Sequence, residues 1–130
     1  IFDKYISQII NETKEYDKIK ELTLFVQKFQ KYLELLNNFT SWLSEKNKNS
    51  KDDVSAACND YLKVLGYIGL AHSWLKILKV SYEKLNTNKS FFEDKINTAT
   101  YYFDKILPRV QSHYLSATTG SSSMMKANFN

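Results

Sequence analysis

The sequence predicts an all-helical fold, an up-down antiparallel bundle of one short helix and three long ones. Three observations carry this. Only three glycines and one proline occur in 130 residues, whereas a sheet protein needs a turn signal every ~8–12 residues. Apolar residues recur in steps of three and four, the period of an amphipathic helix. The polar interruptions between these runs are short, which favours antiparallel neighbours.

The elements follow in order. Residues 2–11 place Phe2, Tyr5, Ile6, Ile9 and Ile10 on one helical face, and Asn11–Tyr16 either breaks this helix or carries it onward. A second, long helix runs from Asp17, its expected N-cap, to about Lys46. Its stripe is Ile19, Leu22, Val26, Phe29, Leu33, Leu36 and Leu43, with Thr40 filling one slot and Phe25, Tyr32, Phe39 and Trp42 widening it. A stripe this broad suits a helix packed against two neighbours. Asn47–Ser50 reads as a solvated loop.

The third helix starts at Ser50–Asp53, a loose capping box. One row runs Ala57, Tyr61, Leu65, Ile68, His72, Leu75, Leu78, Tyr82 and Leu85, and a second contains Val64, Tyr67, Ala71 and Trp74. Gly66 and Gly69 sit inside it, each costing about 1 kcal/mol relative to alanine, so close approach of a neighbouring helix is expected there. The fourth helix begins at Ser90, with Glu93 at the capping-box position, and carries Phe92, Ile96, Ala99, Phe103, Ile106, Leu107, Val110, Tyr114 and Ala117. Pro108 predicts a kink near Asp104–Pro108. Gly120 is the expected stop, with Met124, Met125 and Phe129 in a C-terminal tail of residues 121–130.

Candidate chemistry is sparse. His72 and His113 lack both Glu-x-x-His and His-x-x-x-His spacing, so each reads as a core or boundary side chain with one hydrogen bond, and no metal is expected. Cys58 has no histidine near it in sequence and reads as a small core residue. Asp52, Asp53, Asp60 and Glu93 match caps and solvated faces. Ser121–Ser123 lacks a Gly-x-Ser-x-Gly elbow, and no glycine-rich phosphate loop occurs. No catalytic or cofactor-binding residue is assigned.

The net charge of +4 comes from 17 lysines and Arg109, offset by 14 acids. The lysines are interleaved with Glu and Asp rather than run together, so neither nucleic acid nor an anionic membrane surface is indicated. No stretch nears the ~20 apolar residues of a membrane span. A lone cysteine and no signal-like start point to a cytoplasmic setting. The start at Ile1, inside an amphipathic pattern, reads as a piece of a longer protein. Aromatics make up 15% of residues; Tyr101, Tyr102 and Phe103 are consecutive, so some of them face outward, with Trp42 and Trp74 as further candidates, and outward aromatics suit a protein–protein interface better than base stacking.

Two stretches together carry a resemblance. Ala57–Trp74 has a Tyr61-Leu62 pair, Gly66 four residues on, Gly69 and Trp74. Lys95–Arg109 has Lys95, Thr98-Ala99, Phe103 and Leu107-Pro108. This pattern resembles the helical C-terminal extension of a subgroup of acyl-CoA dehydrogenases, the acetyl-CoA dehydrogenase C-terminal-like extension. Residues 17–46 suit its opening long helix, and Gly120 and Phe129 suit its closing turn and aromatic. Thr100 departs from the pattern, standing where a basic residue is expected.

The resemblance implies a non-catalytic domain of a flavoprotein of fatty acid metabolism. In such enzymes the FAD, the acyl-CoA pocket and the glutamate base lie upstream, and electrons pass to an electron-transfer flavoprotein. Here the domain would pack on the catalytic body of the same chain and support a homodimer or the substrate entrance. Gly66 and Gly69 would permit close helix contact, Pro108 would set a bend, and Trp74 and the exposed aromatics would lie at the seam. The alternative is a freestanding helical interaction module that binds a partner helix in its groove.

Overall fold

The computed structural model describes residues 2–16 and 18–119. Its helices are α1 (Phe2–Tyr16), α2 (Thr23–Asn49), α3 (Lys51–Glu83), α4 (Lys89–Tyr101) and α5 (Arg109–Thr118). A 3₁₀ turn, Lys20–Leu22, leads into α2, and a π turn, Tyr102–Ile106, joins α4 to α5. No strand occurs among the described residues. The bundle is therefore all-helical, with α4, the π turn and α5 forming one bent rod.

The core follows the predicted stripes closely. Val26, Phe29, Leu33 and Leu36 of α2 face Val64, Ile68, Ala71, Leu75 and Leu78 of α3, and Phe103, Leu107 and Val110 close the third side, all buried. On α3 both rows supply core residues, Ala57, Ile68, Leu75 and Leu78 from the first and Val64 and Ala71 from the second, because the helix faces two neighbours at once. Tyr61, Leu65, Trp74 and Tyr82 are left half-buried at its margins.

One boundary that the sequence left open is settled, and several others differ from the sequence reading. The first helix continues through Asn11–Tyr16, since Thr13 and Tyr16 bury themselves and Thr13 Oγ1 satisfies its need for a partner on the Ile10 carbonyl at 3.0 Å. The long second helix starts at Thr23, because the extended backbone at Ile19 and the 3₁₀ turn intervene; Asp17 lies outside the described residues. The expected loop 47–50 is helical up to Asn49, leaving Ser50 as the whole connection. Ser50 does cap α3, its hydroxyl accepting from the Asp53 amide at 3.3 Å. Asn88, not Ser90, caps α4, accepting from the Phe91 amide at 3.3 Å. Asn is as good an N-cap as Ser, and the turn Lys84–Thr87 places it first.

Pro108 bends the last helix where the kink is expected, with the backbone still in the right-handed helical region at Tyr101, Tyr102, Leu107 and Pro108. It has no N–H to give to the carbonyl one turn back, and α5 begins afresh after it. Just before it the ladder widens, with the Leu107 amide donating to the Tyr102 carbonyl at 2.8 Å. This one-residue excess turns both Tyr102 and Phe103 inward, while Tyr101 stays 60% exposed. The Gly120 stop and the tail bearing Met124, Met125 and Phe129 lie outside the described residues.

Candidate interaction surface

Polar side chains inside the bundle are spent on holding helices together. His72 Nε2 on α3 donates to Glu12 Oε2 on α1 at 3.2 Å, and its ring stacks on Phe29 at 6.1 Å. His113 Nδ1 on α5 pairs with Asp60 Oδ1 on α3 at 2.7 Å and stacks on Tyr67. Each histidine thus has the hydrogen bond expected of it, and of the two positions the sequence left open, core or boundary, each takes the boundary. Asp60 is neither a cap nor solvated, as the sequence suggested, because its spacing on α3 brings it under α5. Among the described residues, no group of three or more His, Cys, Asp or Glu is placed to hold a metal ion. No buried side-chain nitrogen or oxygen among them lacks a partner.

Burial would raise the Glu12 carboxyl, but the charge and hydrogen bond of His72, with Lys76 and Tyr16, hold it below its ordinary value. The Tyr16 hydroxyl, buried and beside Glu12, is pushed up to about 12. Tyr102 is also raised, mainly by burial, and its hydroxyl donates to the Tyr67 carbonyl at 2.5 Å. A depressed carboxyl pKa stabilises the fold above the unfolded-state value and ceases to do so as pH falls through the folded value. Glu12→Gln should therefore unfold at a lower temperature than the parent sequence at pH 6. The gap should close as the pH drops below about 4. Circular-dichroism melts at both pH values test this; a gap unchanged at pH 3 contradicts the pairing.

The residues of the sequence motif divide into two groups. Ala99, Phe103 and Leu107 are core, Tyr61 packs edge-on against Phe39 at 5.0 Å, and Pro108 precedes α5. Trp74 is half-buried against the same core. These residues build the domain. Thr98 and Thr100 return their hydroxyls to carbonyls of their own helix, at 2.9 and 2.8 Å. Lys95 lies over the Phe91 ring at 5.3 Å. Thr100 supplies no charged anchor.

Leu62, Gly66 and Gly69 belong to the second group, and here the structure corrects the expectation. A Cβ added at Gly66 or Gly69 would meet nothing within 4 Å, so no helix of this domain approaches them closely. They open outward. At 100° per residue they share a face with Ser55, Leu62, Leu70, Ser73, Ile77 and Val80. Leu62 is 66% exposed and Leu70 54%. Cys58 lies at the edge of this face and is exposed, against the core position expected, because it is one step around the helix from buried Ala57. Lys63 and Lys76 border this face, and between them, from Ser55 to Val80, it carries no charged side chain. Sequence reading missed it because its apolar members were too few to stand out beside the two core rows.

Two shallow grooves adjoin exposed apolar side chains. One, of about 380 Å³, lies between α3 and α4, with Ile77, Val80, Phe91 and Phe92 as walls and Lys76 and Lys95 at its sides. The other, of about 270 Å³, lies between α1 and α2, lined by Ile6, Ile10 and Leu33 with Gln30, Glu34 and Asn37. Neither fits a flavin dinucleotide. A pyrophosphate needs free backbone amides at a helix start or glycine turn, whereas both described glycines lie inside α3.

The whole helical chain, bundle and bent rod together, matches a family model, "Acetyl-CoA dehydrogenase C-terminal like", over residues 3–128. The chain belongs to this family. No curated protein and no solved structure matches it. As a family member it is a C-terminal-type helical domain, and the matched span takes in all five helices. No helix among the described residues is long and apolar enough to cross a membrane.

Proposed function

We propose that this chain is the non-catalytic C-terminal domain of an FAD-dependent acyl-CoA dehydrogenase, packing on the catalytic body and supporting the dimer or the substrate entrance. The observation that carries this is where the exposed apolar surface lies. Side chains that a monomeric bundle would turn inward or replace by charge are instead grouped on the outward face of α3 and beside the two grooves. Grouped apolar surface of this kind marks an interface. Ile10, 37% exposed in the α1–α2 groove, and Tyr5, 45% exposed on α1, suit contact with a catalytic body that precedes α1 in the same chain.

In this reading the parent oxidises the α,β C–C bond of an acyl-CoA thioester. Its flavin, base and thioester pocket belong to the upstream region, and its electron acceptor is an electron-transfer flavoprotein. The domain's share is positional: its core residues fix the bundle, and its uncharged faces hold it in place. Trp74 contributes to the seam through the part of its ring that the core leaves uncovered. The setting is cytoplasmic.

The test is the natural full-length protein, purified from its source. A chain several times longer, yellow with bound FAD and bleached on adding an acyl-CoA, is the expected result. A colourless protein of about this size would overturn the proposal and favour a freestanding interaction module.

A further inference from the structure

The groove between α3 and α4 is apolar across its walls and cationic at both sides. Ile77, Val80, Phe91 and Phe92 form the walls, and Lys76 and Lys95 stand at the edges. Ser81 also lines it, but its hydroxyl is spent on the Ile77 carbonyl at 2.7 Å. Among the described residues no carboxylate lines it. The two lysines are held differently. Lys76 Nζ is 3.8 Å from Glu12 Oε1, a carboxylate already shared by His72 and Tyr16. Lys95 pairs with no carboxylate among the described residues. Its ammonium lies over the Phe91 ring, 5.3 Å from the centroid, against the groove's own wall.

Whatever covers this groove therefore takes water from the Lys95 ammonium along with the apolar walls. Burying a charge is costly unless a counter-charge arrives with the cover. From this we infer that the occupant is an amphipathic helix of the catalytic body with acidic residues beside its apolar stripe. One carboxylate meets Lys95 and another meets Lys76, while apolar side chains at helical spacing fill the groove between them. The inference rests on the packing in the proposed function and gives that contact its chemistry.

Other occupants fit less well. A small anionic ligand needs a site that buries most of its surface. This groove is shallow, and its Ile77 and Val80 wall runs on into the uncharged face of α3. Residues 120–130 of the chain contain Lys126 and no acid, so they would set a like charge against Lys95. A second copy presenting the same groove would do so too.

The test labels the natural full-length protein carrying Val80→Cys with maleimide and reads that position by peptide mass spectrometry. Val80 is 43% exposed in the domain, so a thiol there is protected only by something from outside it. Labelling should be slow, and should stay slow when Lys95→Arg is added. Adding Lys95→Glu should quicken it about tenfold or more, since losing one charge of a buried pair mainly speeds release. Lys95→Glu breaks no ion pair among the described residues, and an unchanged circular-dichroism spectrum separates release from unfolding. Equal rates with and without Lys95→Glu overturn the inference: both fast means that nothing covers the groove, both slow that the cover brings no carboxylate to Lys95. Protection lost on dilution, or on removing residues 120–130, overturns it as well, in favour of a second copy or the chain's own tail. Failure of the dehydrogenase reading looks different. A short, colourless protein removes the catalytic body and both readings fall together, whereas a long, yellow one with an open Val80→Cys thiol loses only this one.

Discussion

Phe39→Ala should be the most damaging of the single truncations considered, lowering stability by about 3–5 kcal/mol. Phe39 is 0% exposed and sits where three helices meet. Its ring receives or presents an edge to Tyr61 of α3 at 5.0 Å, Tyr114 of α5 at 5.4 Å and Trp42 of its own helix at 6.2 Å. Edge-to-face contacts add to simple burial, and removing the central ring strands all three partners at once. Tyr61 would be the most affected, because its hydroxyl is tied to Thr40 Oγ1 at 2.7 Å. Thr40 already donates to the Leu36 carbonyl at 2.9 Å, so Tyr61 is the donor of that pair and cannot swing into the void without losing it. The cavity therefore stays open, which puts the cost at the upper end of the range. A domain with 5–15 kcal/mol in all would melt roughly 10 °C or more lower. A thermal melt showing less than about 1 kcal/mol of loss would mean that the aromatic cluster is not packed as described.

Phe103→Ala should cost nearly as much, about 3–4 kcal/mol, and for a more local reason. Phe103 is 1% exposed and meets Phe25 edge-on at 5.3 Å. It points inward together with its neighbour Tyr102 because the π turn carries one residue more than an α turn. The turn is fixed from three directions: by Phe103 in the core, by Tyr102 donating to the Tyr67 carbonyl, and by Lys28 Nζ on Asp104 Oδ1 at 2.6 Å. That last pair is more than a third exposed and contributes little. Without Phe103 the wide turn loses its main apolar anchor. Hydrogen exchange at Leu107 and Ile106 should then accelerate more than exchange in α2. By contrast, Leu62→Ala, at 66% exposure, should leave the melt of the domain itself within about 0.5 kcal/mol. Equal effects at the two positions would contradict the division of the motif into core and outward residues.

Much of this architecture is legible in the residues alone. The step-of-three-and-four stripes on α2 and α3, and the run from Phe92 to Ala117, specify which faces are buried, because burial of a continuous apolar stripe outweighs local preference. The Ser50–Asp53 cap is legible too, since it needs only neighbours in sequence. Helix ends are less so. Asn88 rather than Ser90 begins α4, and α2 begins at Thr23, because several residues in each stretch can cap and only the path of the turn selects one.

The sequence by itself determined the helical class, the buried stripes, the hydrogen-bonded structural role of both histidines and the family pattern. Each of these depends on periodicity or on residue chemistry that one helix displays. Only the tertiary structure decided that Asp60 pairs with His113, that Tyr102 and Phe103 both turn inward, and that Gly66 and Gly69 face outward onto empty space. Those outcomes depend on which helix lies beside which, at separations of 35 to 53 residues for the Tyr102 and His113 contacts. The direction of a glycine is the clearest case. A residue with no side chain leaves no hydrophobic signal of its own, so its role is visible only once its neighbours have been placed around it.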